Sequence, residues 1–457
     1  MKQRDFITLK KDRHYTLEIA DIGTKGEGIG RIDGFTVFVD NAVPGDTLKI
    51  SIIDLKKNYA VGKIVQIINQ SHFRVKPRCQ YTARCGSCQT QNINYPDQLT
   101  FKQKKVKDSL ERIGKFSNAK ILPVIGMQDP FNYRNKAQFP VGSVDGNLAI
   151  GFYALRSHEI INIEECHIQH PVMNTVLQKI RDFIKEYNIP AYNEKSHTGL
   201  LRHVLLRTAF HTGEIMVCMI INGKKLPHAD KLVDILKDFP GMKSIVLNHN
   251  RRRDNVILGD WIELIWGAPS IVEQIGEIRF EISPLSFFQV NSIQMKVLYD
   301  KVLDYAGLTG KETVWDIYCG IGSISLYLAA HAKKVFGIEV VEAAILDAKR
   351  NAKLNHITNA EFFTGKAEEE LPGMQKEGSL KADVIILDPP RKGCESALLD
   401  TIAEIAPKRI VYVSCDPSTF ARDLSILKEK GYTLLKVQPV DMFPHTTHIE
   451  CVGLLIK

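Results

Sequence analysis

Thr313-Val-Trp-Asp-Ile-Tyr-Cys-Gly-Ile-Gly-Ser323 reads as a β-strand running into a glycine turn. Apolar residues fill the first half. Gly320 and Gly322 then let the backbone approach a ligand closely where strand becomes helix. A glycine pair alone is weak evidence. The third glycine of a dinucleotide fingerprint is absent, since Ser325 stands near that offset. Working outward, strand-like runs recur at 334–339, 360–364, 383–388 and 409–414, separated by helical stretches. That alternation predicts a doubly wound, mostly parallel sheet. Runs at 432–440 and 449–456 read as a terminal strand pair.

The second strand ends at Glu339, about twenty residues on, where a carboxylate can accept both ribose hydroxyls of an adenosine-bearing cofactor. S-adenosyl-L-methionine fits better than NAD, because it has no pyrophosphate to cradle. The bland alternative is an unliganded turn beside a surface glutamate. The fourth strand runs into Asp388-Pro-Pro-Arg-Lys-Gly393, a rigid loop where ligands bind in open α/β sheets. Amino-group methyltransferases carry an aromatic residue after the two prolines. Arg391 stands there instead, which argues for another acceptor atom.

The fifth strand ends in Val413-Ser-Cys-Asp-Pro417. An isolated cysteine is often a small buried hydrophobe. Cys415, however, sits where a strand's carboxyl end meets the cofactor crevice, so its thiolate could act as nucleophile. Carbon 5 of uracil needs such help. A thiolate adding to carbon 6 makes carbon 5 carbanion-like, and the methylated adduct must then lose its carbon 5 proton to a base. Glu450, at the start of the last strand beside an apolar run, is the candidate base. The bland alternative is a strand-end surface glutamate. His445 and His448 read as loop structure or phosphate contacts.

The 457 residues carry 60 Lys+Arg against 52 Asp+Glu, a net charge of +8. Apolar and charged fractions of 44% and 25% are globular and exclude a disordered or collagen-like chain. No apolar run is long enough for a membrane span, and the charged N-terminus shows no signal peptide, so a cytoplasmic location is expected. Residues 71–120 hold eleven basic and three acidic residues, an excess of eight that equals the whole chain's. That run is either a solvated helix face or a polyanion contact. Residues 15–68 alternate apolar and polar positions between glycine turns and predict a small β-barrel of about five strands. Residues 96–113 predict a helix with Leu99, Val106, Leu110 and Ile113 near one face. Residues 120–300 predict an α+β domain in which 200–207 and 214–221 pair as strands.

These motifs resemble the RNA uracil-C5-methyltransferases that act on ribosomal RNA. The resemblance covers essentially the whole chain. It rests on the four-cysteine pattern, Phe288-Gln289-Val290-Asn291, the Asp316-to-Gly320 turn, the Asp388-to-Gly393 loop, Ser414-Cys415-Asp416-Pro417 and His448-Ile449-Glu450. It implies a multidomain α/β protein. Residues 1–69 would form a TRAM-like, OB-like RNA-binding barrel and 70–300 the cysteine segment with the α+β domain. Residues 301–457 would form a Rossmann-like class I methyltransferase domain. It implies that Cys415 is the nucleophile and Glu450 the base. Gln289, Tyr318, Glu339 and Asp388 match positions that contact S-adenosylmethionine or the target uracil, and Phe287 or Phe288 would stack on a flipped base. Asp416 and Ser323 are departures, since the family often has Asn after the catalytic Cys and some members have Asn at the second position.

Cys79, Cys85, Cys88 and Cys166 could hold zinc or an iron–sulfur cluster on donor count. The resemblance favours a 4Fe-4S cluster with a structural role, tying the basic segment to the central domain. The expected activity is 5-methyluridine formation in 23S ribosomal RNA by a monomer with no obligate protein partner. Rivals are the same chemistry on transfer RNA, a non-catalytic RNA-binding protein on this scaffold, and an amine methyltransferase. The tRNA enzymes of this kind generally lack the barrel and cysteine cluster, and an inactive relative would be expected to lose Cys415 or Glu450.

Overall fold

The first strands close on themselves because each buries one face in a common apolar centre. In the computed structural model, which describes residues 9–376 and 380–457, β1 (His14–Ile22), β2 (Gly28–Ile32), β3 (Phe35–Val39), β4 (Thr47–Leu55) and β5 (Tyr59–Asn69) form a closed barrel in the order β1-β2-β3-β5-β4. Leu17, Ile19, Val37, Val39, Leu48, Ile50 and Ile52 fill it. Gly30 is obligatory there, since a Cβ would lie 2.4 Å from the Glu18 carbonyl oxygen. The first eight residues of the charged N-terminal stretch lie outside the described residues.

The chain divides into two compact units. One comprises residues 1–102, 153–161 and 443–447; the other comprises 103–152, 162–442 and 448–457. In the first, Asp46 is fully buried and accepts hydrogen bonds from Val43 N, Ser71 N and the Arg74 guanidinium. Arg74 is therefore a structural cation of the barrel's base. Helix α1 (Tyr95–Arg112) has Pro96 and Asp97 in its first turn and Arg112 in its last, as the helix dipole favours.

Several cations of the basic run are engaged within the protein around this helix. Lys102 is buried and its Nζ donates to the Phe443 carbonyl at 3.0 Å. Lys104 and Arg112 both pair with Asp108, and Lys107 with Glu111, at i,i+4 spacing. Val106 and Leu110 are buried as expected, whereas Ile113 lies just past the helix end and is exposed.

Two seven-stranded sheets account for most of the remaining strands, nearly all of them in the second unit. The first contains β6 (Lys136–Val144), β7 (Asn147–Tyr153), β8 (Ile160–Asn162), β9 (Leu201–Thr208), β10 (Ile215–Ile221), β11 (Met242–His249) and β12 (Trp261–Gly267), in the order β12-β11-β10-β9-β6-β7-β8. The central strands β9 and β10 are buried along their whole length, which makes β10 an unbroken apolar run, while β9 also buries Arg202, His203 and Arg207. Helices α2 (Pro171–Glu186) and α3 (Ala229–Leu236) accompany it. The hairpin β13 (Ile271–Ile275) and β14 (Ile278–Ile282) leads through a short loop to α4 (Ser292–Ala306).

The second sheet contains β15 (Thr313–Ile317), β16 (Lys334–Glu339), β17 (Ala360–Thr364), β18 (Val384–Leu387), β19 (Arg409–Ser414), β20 (Thr433–Val440) and β21 (Glu450–Ile456). Helices α5 (Ser323–Ala329), α6 (Glu342–Leu354), α7 (Ala367–Lys376), α8 (Ser396–Ile405) and α9 (Pro417–Glu429) alternate with them. The order is β17-β16-β15-β18-β19-β21-β20, with every strand parallel except β21, which runs antiparallel to its neighbours β19 and β20. The order reverses at β15, so a crevice opens outside the carboxyl ends of β15 and β18. The expected doubly wound sheet and terminal strand pair are borne out, with bounds that shift by a residue or two.

Candidate active site at the carboxyl edge of the parallel sheet

β15 hands the chain to a turn that only an over-determined backbone can hold. Tyr318, Gly320 and Gly322 all have left-handed φ, at 68°, 55° and 76°. For a tyrosine that conformation costs ~1–3 kcal/mol, and such strain concentrates at ligand sites. The backbone N–H groups of Tyr318 and Cys319 both donate to Ile338 O, at 3.0 and 3.1 Å, which locks the turn onto β16. Tyr318 Oη donates to Glu368 at 2.5 Å. A Cβ on Gly322 would lie 2.9 Å from the Phe362 ring, so that glycine serves packing. A Cβ on Gly320 would meet no atom within 4 Å, so the open side of the turn faces free space. Gly320 N donates to Glu339 at 3.3 Å, and Val341 N to the other carboxylate oxygen at 3.0 Å, which fixes Glu339 at the rim of that space.

Below the turn, Asp316 is fully buried. Ser325 Oγ donates to its Oδ2 at 2.5 Å, and its Oδ1 has no partner among the described residues. Burial, against the pull of that hydroxyl, pushes its carboxyl up to about 7. A strained turn with an open glycine face, a fixed rim carboxylate and an orphaned buried oxygen beneath fits a small polar cofactor such as S-adenosylmethionine.

β19 delivers Cys415 to the same edge. The antiparallel register pairs Ser414 with Cys451, so the next position sets Cys415 against Glu450. Cys415 is half-buried, while Glu450 is only 3% exposed. Burial first, then the negative fields of Glu450 and Asp388, push the Cys415 thiol up to about 12. Burial and Asp388 push Glu450 well above the usual carboxylate range. Asp388 keeps part of its surface open to solvent, yet the surrounding protein pushes it up to about 6. Those couplings bring Cys415, Glu450 and Asp388 into one electrostatic cluster.

Arg391 has a part here that no sequence motif assigned to it. Its exposed guanidinium opposes the upward shifts of both Cys415 and Glu450. Lys105 was counted only within the basic run. It is half-buried and electrostatically coupled to Asp416, Cys451 and Arg391, so it belongs to the surroundings of this site. Asp416 is the N-cap of α9, accepting from Ser418 N at 2.8 Å and Thr419 N at 3.4 Å, with Pro417 following. Asn serves equally as an N-cap, so the departure at Asp416 preserves the local fold. Ser323 Oγ is 2.7 Å from Tyr299 Oη, which anchors the start of α5 to α4.

Gln289 sits in the loop before α4. Buried Asn135 holds that loop, its Nδ2 donating to Gln289 O at 2.8 Å and to Ser292 Oγ at 2.9 Å. Nothing in the sequence singled out Asn135; its signal is tertiary. Phe288 is buried near Phe280, with ring centroids 5.8 Å apart, whereas Phe287 is 71% exposed. Of the two aromatics, Phe287 is the one open to a partner. His445 is buried, and its carbonyl accepts from Gln89 N and Thr90 N, so it is loop structure.

Cys79, Cys85, Cys88 and Cys166 are all half-buried. The first three lie in the unit that contains the barrel and Cys166 in the other. As a donor set, four thiols suit zinc or iron–sulfur. Among the described residues no three His, Cys, Asp or Glu side chains are gathered as metal ligands. No helix among them is long and apolar enough to cross a membrane.

Residues 94–457 match the family model described as tRNA (Uracil-5-)-methyltransferase, and residues 11–65 match the TRAM domain. The chain is 48% identical over 450 residues to an uncharacterized RNA methyltransferase of Clostridium tetani, covering 98% of this chain and 97% of that protein. It is 50% identical over 452 residues to one of Clostridium acetobutylicum, covering 98% of each. Among solved structures, the Pyrococcus abyssi tRNA (uracil-54, C5)-methyltransferase in complex with S-adenosyl-L-homocysteine is 31% identical, with a TM-score of 0.79. That likeness covers 97% of this chain and 100% of the other. With most of its length under the family model and a barrel of the TRAM type ahead of it, the chain belongs to the tRNA (uracil-5-)-methyltransferase family.

Proposed function

We propose that this protein uses S-adenosylmethionine to methylate carbon 5 of a uridine in 23S ribosomal RNA. The observation that carries the chemistry is the β19–β21 register, which ends at Ser414 opposite Cys451 and continues toward Cys415 and Glu450, together with the negative field of Glu450 on the Cys415 thiol. Family membership supports RNA uracil-C5 methylation. The choice of ribosomal RNA rests on the four-cysteine pattern, since the Pyrococcus abyssi transfer RNA enzyme is alike over 97% of this chain, the barrel included. Transfer RNA is the second reading, favoured by the family's description and by the Pyrococcus abyssi relative.

Gln289, Tyr318, Glu339 and Asp388 would contact the cofactor or the target uracil beside the open face of Gly320. The bound cofactor supplies the methyl group as an electrophile. Cys415 acts as a thiolate. It forms a bond to uracil carbon 6, and the electron pair of the ring double bond moves onto carbon 5. After methylation, Glu450 takes the proton from carbon 5. The pair re-forms the ring double bond as the sulfur–carbon bond breaks, and the thiolate leaves. Burial suits Glu450 to this work, because a carboxylate shifted upward is a stronger base. Arg391 eases ionisation of both groups. Phe287 offers its exposed ring to the uracil once it leaves its stack, which costs a few kcal/mol and favours a loop or bulge target.

Cys79, Cys85, Cys88 and Cys166 would hold a 4Fe-4S cluster of structural role, a reading that rests on the family resemblance, since four thiols suit zinc equally. Residues 1–69 would bind RNA, 70–300 would carry the cluster and shape the substrate site, and 301–457 would transfer the methyl group. The test is base-resolution mapping of 5-methyluridine in RNA from cells with and without the gene. Loss at one or more 23S positions is expected. Loss confined to transfer RNA would replace the target, and no loss in any RNA would overturn the activity.

A further inference from the structure

The register of the seven-stranded sheet of β6–β12 aligns Leu201, Ile221, His249 and Trp261 as one row across β9, β10, β11 and β12. This row is the end of the sheet remote from the catalytic loop. The opposite end is where Arg207 reaches Ser286 and where Thr208 N donates to Asn135 O. Seven residues of β9 separate the two ends, or ~23 Å at ~3.3 Å per residue.

Three loops meet at the remote end, at 190–200, 222–228 and 250–260. They carry six exposed cations and three exposed acids. Arg252 is spent on Asp254 at 2.9 Å, and its neighbours Arg251 and Arg253 enter no ion pair among the described residues. In their midst the Trp261 indole lies on the His249 ring, with centroids 3.8 Å apart and planes 27° apart. His249 cannot turn. Its Nδ1 is 2.9 Å from Gly223 O and its Nε2 is 3.1 Å from Glu263. The first contact also ties in the loop that carries exposed Lys224 and Lys225. Trp261 sits on an edge strand and is 56% exposed, so its outer ring face is free.

A large apolar ring held flat at the surface is unfavourable in water unless something stacks on it. A ring of lysine and arginine around it selects an anionic partner with flat groups. Single-stranded nucleic acid has both, with bases for the indole and phosphates for the cations. We propose that this end of the sheet is a second RNA-binding site, which grips unpaired nucleotides of the substrate at a distance from the target uridine. The inference rests on the reading of the protein as an RNA methyltransferase. It adds the means by which a large folded RNA is told from a short hairpin with the same target.

The test uses the full chain and two probes. One is unmodified total RNA from cells lacking the protein; the other is a short hairpin around the mapped uridine. Trp261→Ala should weaken binding of the long RNA about tenfold, within the range for one lost base–aromatic stack. Trp261→Tyr should restore most of it. Arg251→Ala with Arg253→Ala should lower the slope of log affinity against log salt by about 0.7 per lost phosphate contact. None of these changes should alter methylation of the hairpin, and unchanged melting temperatures establish that the variants fold. Wild-type affinity for the long RNA in both the Trp and the Arg variants would overturn the proposal and leave this surface for a protein. Failure of the wild-type chain to methylate any uridine would instead overturn the reading of the activity.

Discussion

A thiol pushed up to about 12 should be almost wholly protonated in the resting protein. At pH 8 about one Cys415 in 10⁴ would be thiolate, against about a quarter of ordinary thiols with a pKa near 8.5. The perturbation is alkylation by iodoacetamide across pH 6 to 10, and the measurement is the rate at the Cys415 peptide by mass spectrometry. That peptide must be resolved, because Cys79, Cys85, Cys88 and Cys166 are also half-buried. Buried Cys319, Cys394 and Cys451 serve as slow internal controls. The rate should climb about tenfold per pH unit throughout, with no plateau. Accessibility scales the whole curve but does not move its midpoint. In Glu450→Gln the curve should shift to lower pH, since Glu450 is the charged neighbour that most disfavours the thiolate. A plateau already reached by pH 8 would mean a thiolate at rest, and would sink the view that the nucleophile ionises only as the substrate is engaged.

Glu450→Gln should also trap chemistry midway: without a base the carbon 5 proton stays, elimination fails, and a covalent protein–RNA adduct should survive denaturing electrophoresis. Free RNA with normal 5-methyluridine yield would remove Glu450 from the mechanism. Phe287→Ala should leave the melting temperature unchanged, because the ring is 71% exposed, while kcat/KM falls by the ~1–3 kcal/mol of one base stack; unaltered kinetics would exclude stacking there. Asp316 has a raised carboxyl pKa of about 7, so its stabilising neutral form is complete below the unfolded value near 4 and is lost as pH rises through about 7. Asp316→Asn should therefore gain about 2–3 kcal/mol relative to the wild type between pH 5 and pH 8, read from denaturant unfolding; a difference that does not change with pH would show that Asp316 is ionised throughout. Protein purified without oxygen should be brown and absorb near ~400 nm, and Cys79→Ser should bleach it; colourless protein with stoichiometric zinc would replace the cluster by a zinc site.

Much of this molecule was legible from local pattern. The period-two alternation and glycine turns of 15–68 announced the barrel, because each strand has one wet and one dry face. The alternation after residue 310 announced the parallel sheet, and with it the edge at which ligands bind. Cys415 and Glu450 could be picked out because each stands at a strand end in a short motif. The basic run left two readings open for a physical reason. Charge counts carry no information about direction, and Lys102, Arg74 and Lys105 turn inward to a carbonyl, a buried aspartate and the surroundings of Asp416 and Cys451.

By itself, then, the sequence determined which elements form and which chemistry their ends could carry, since strand, turn and capping signals act within a few residues. Only the tertiary structure decided that Glu450 faces Cys415, because the register of β19 on β21 joins residues 35 positions apart. It alone showed that Arg391 offsets the burial of both, that Asn135 holds the Gln289 loop, and that Phe287 and not Phe288 is open. Those are facts of burial and of fields between distant segments, and they exist only once the chain has closed on itself.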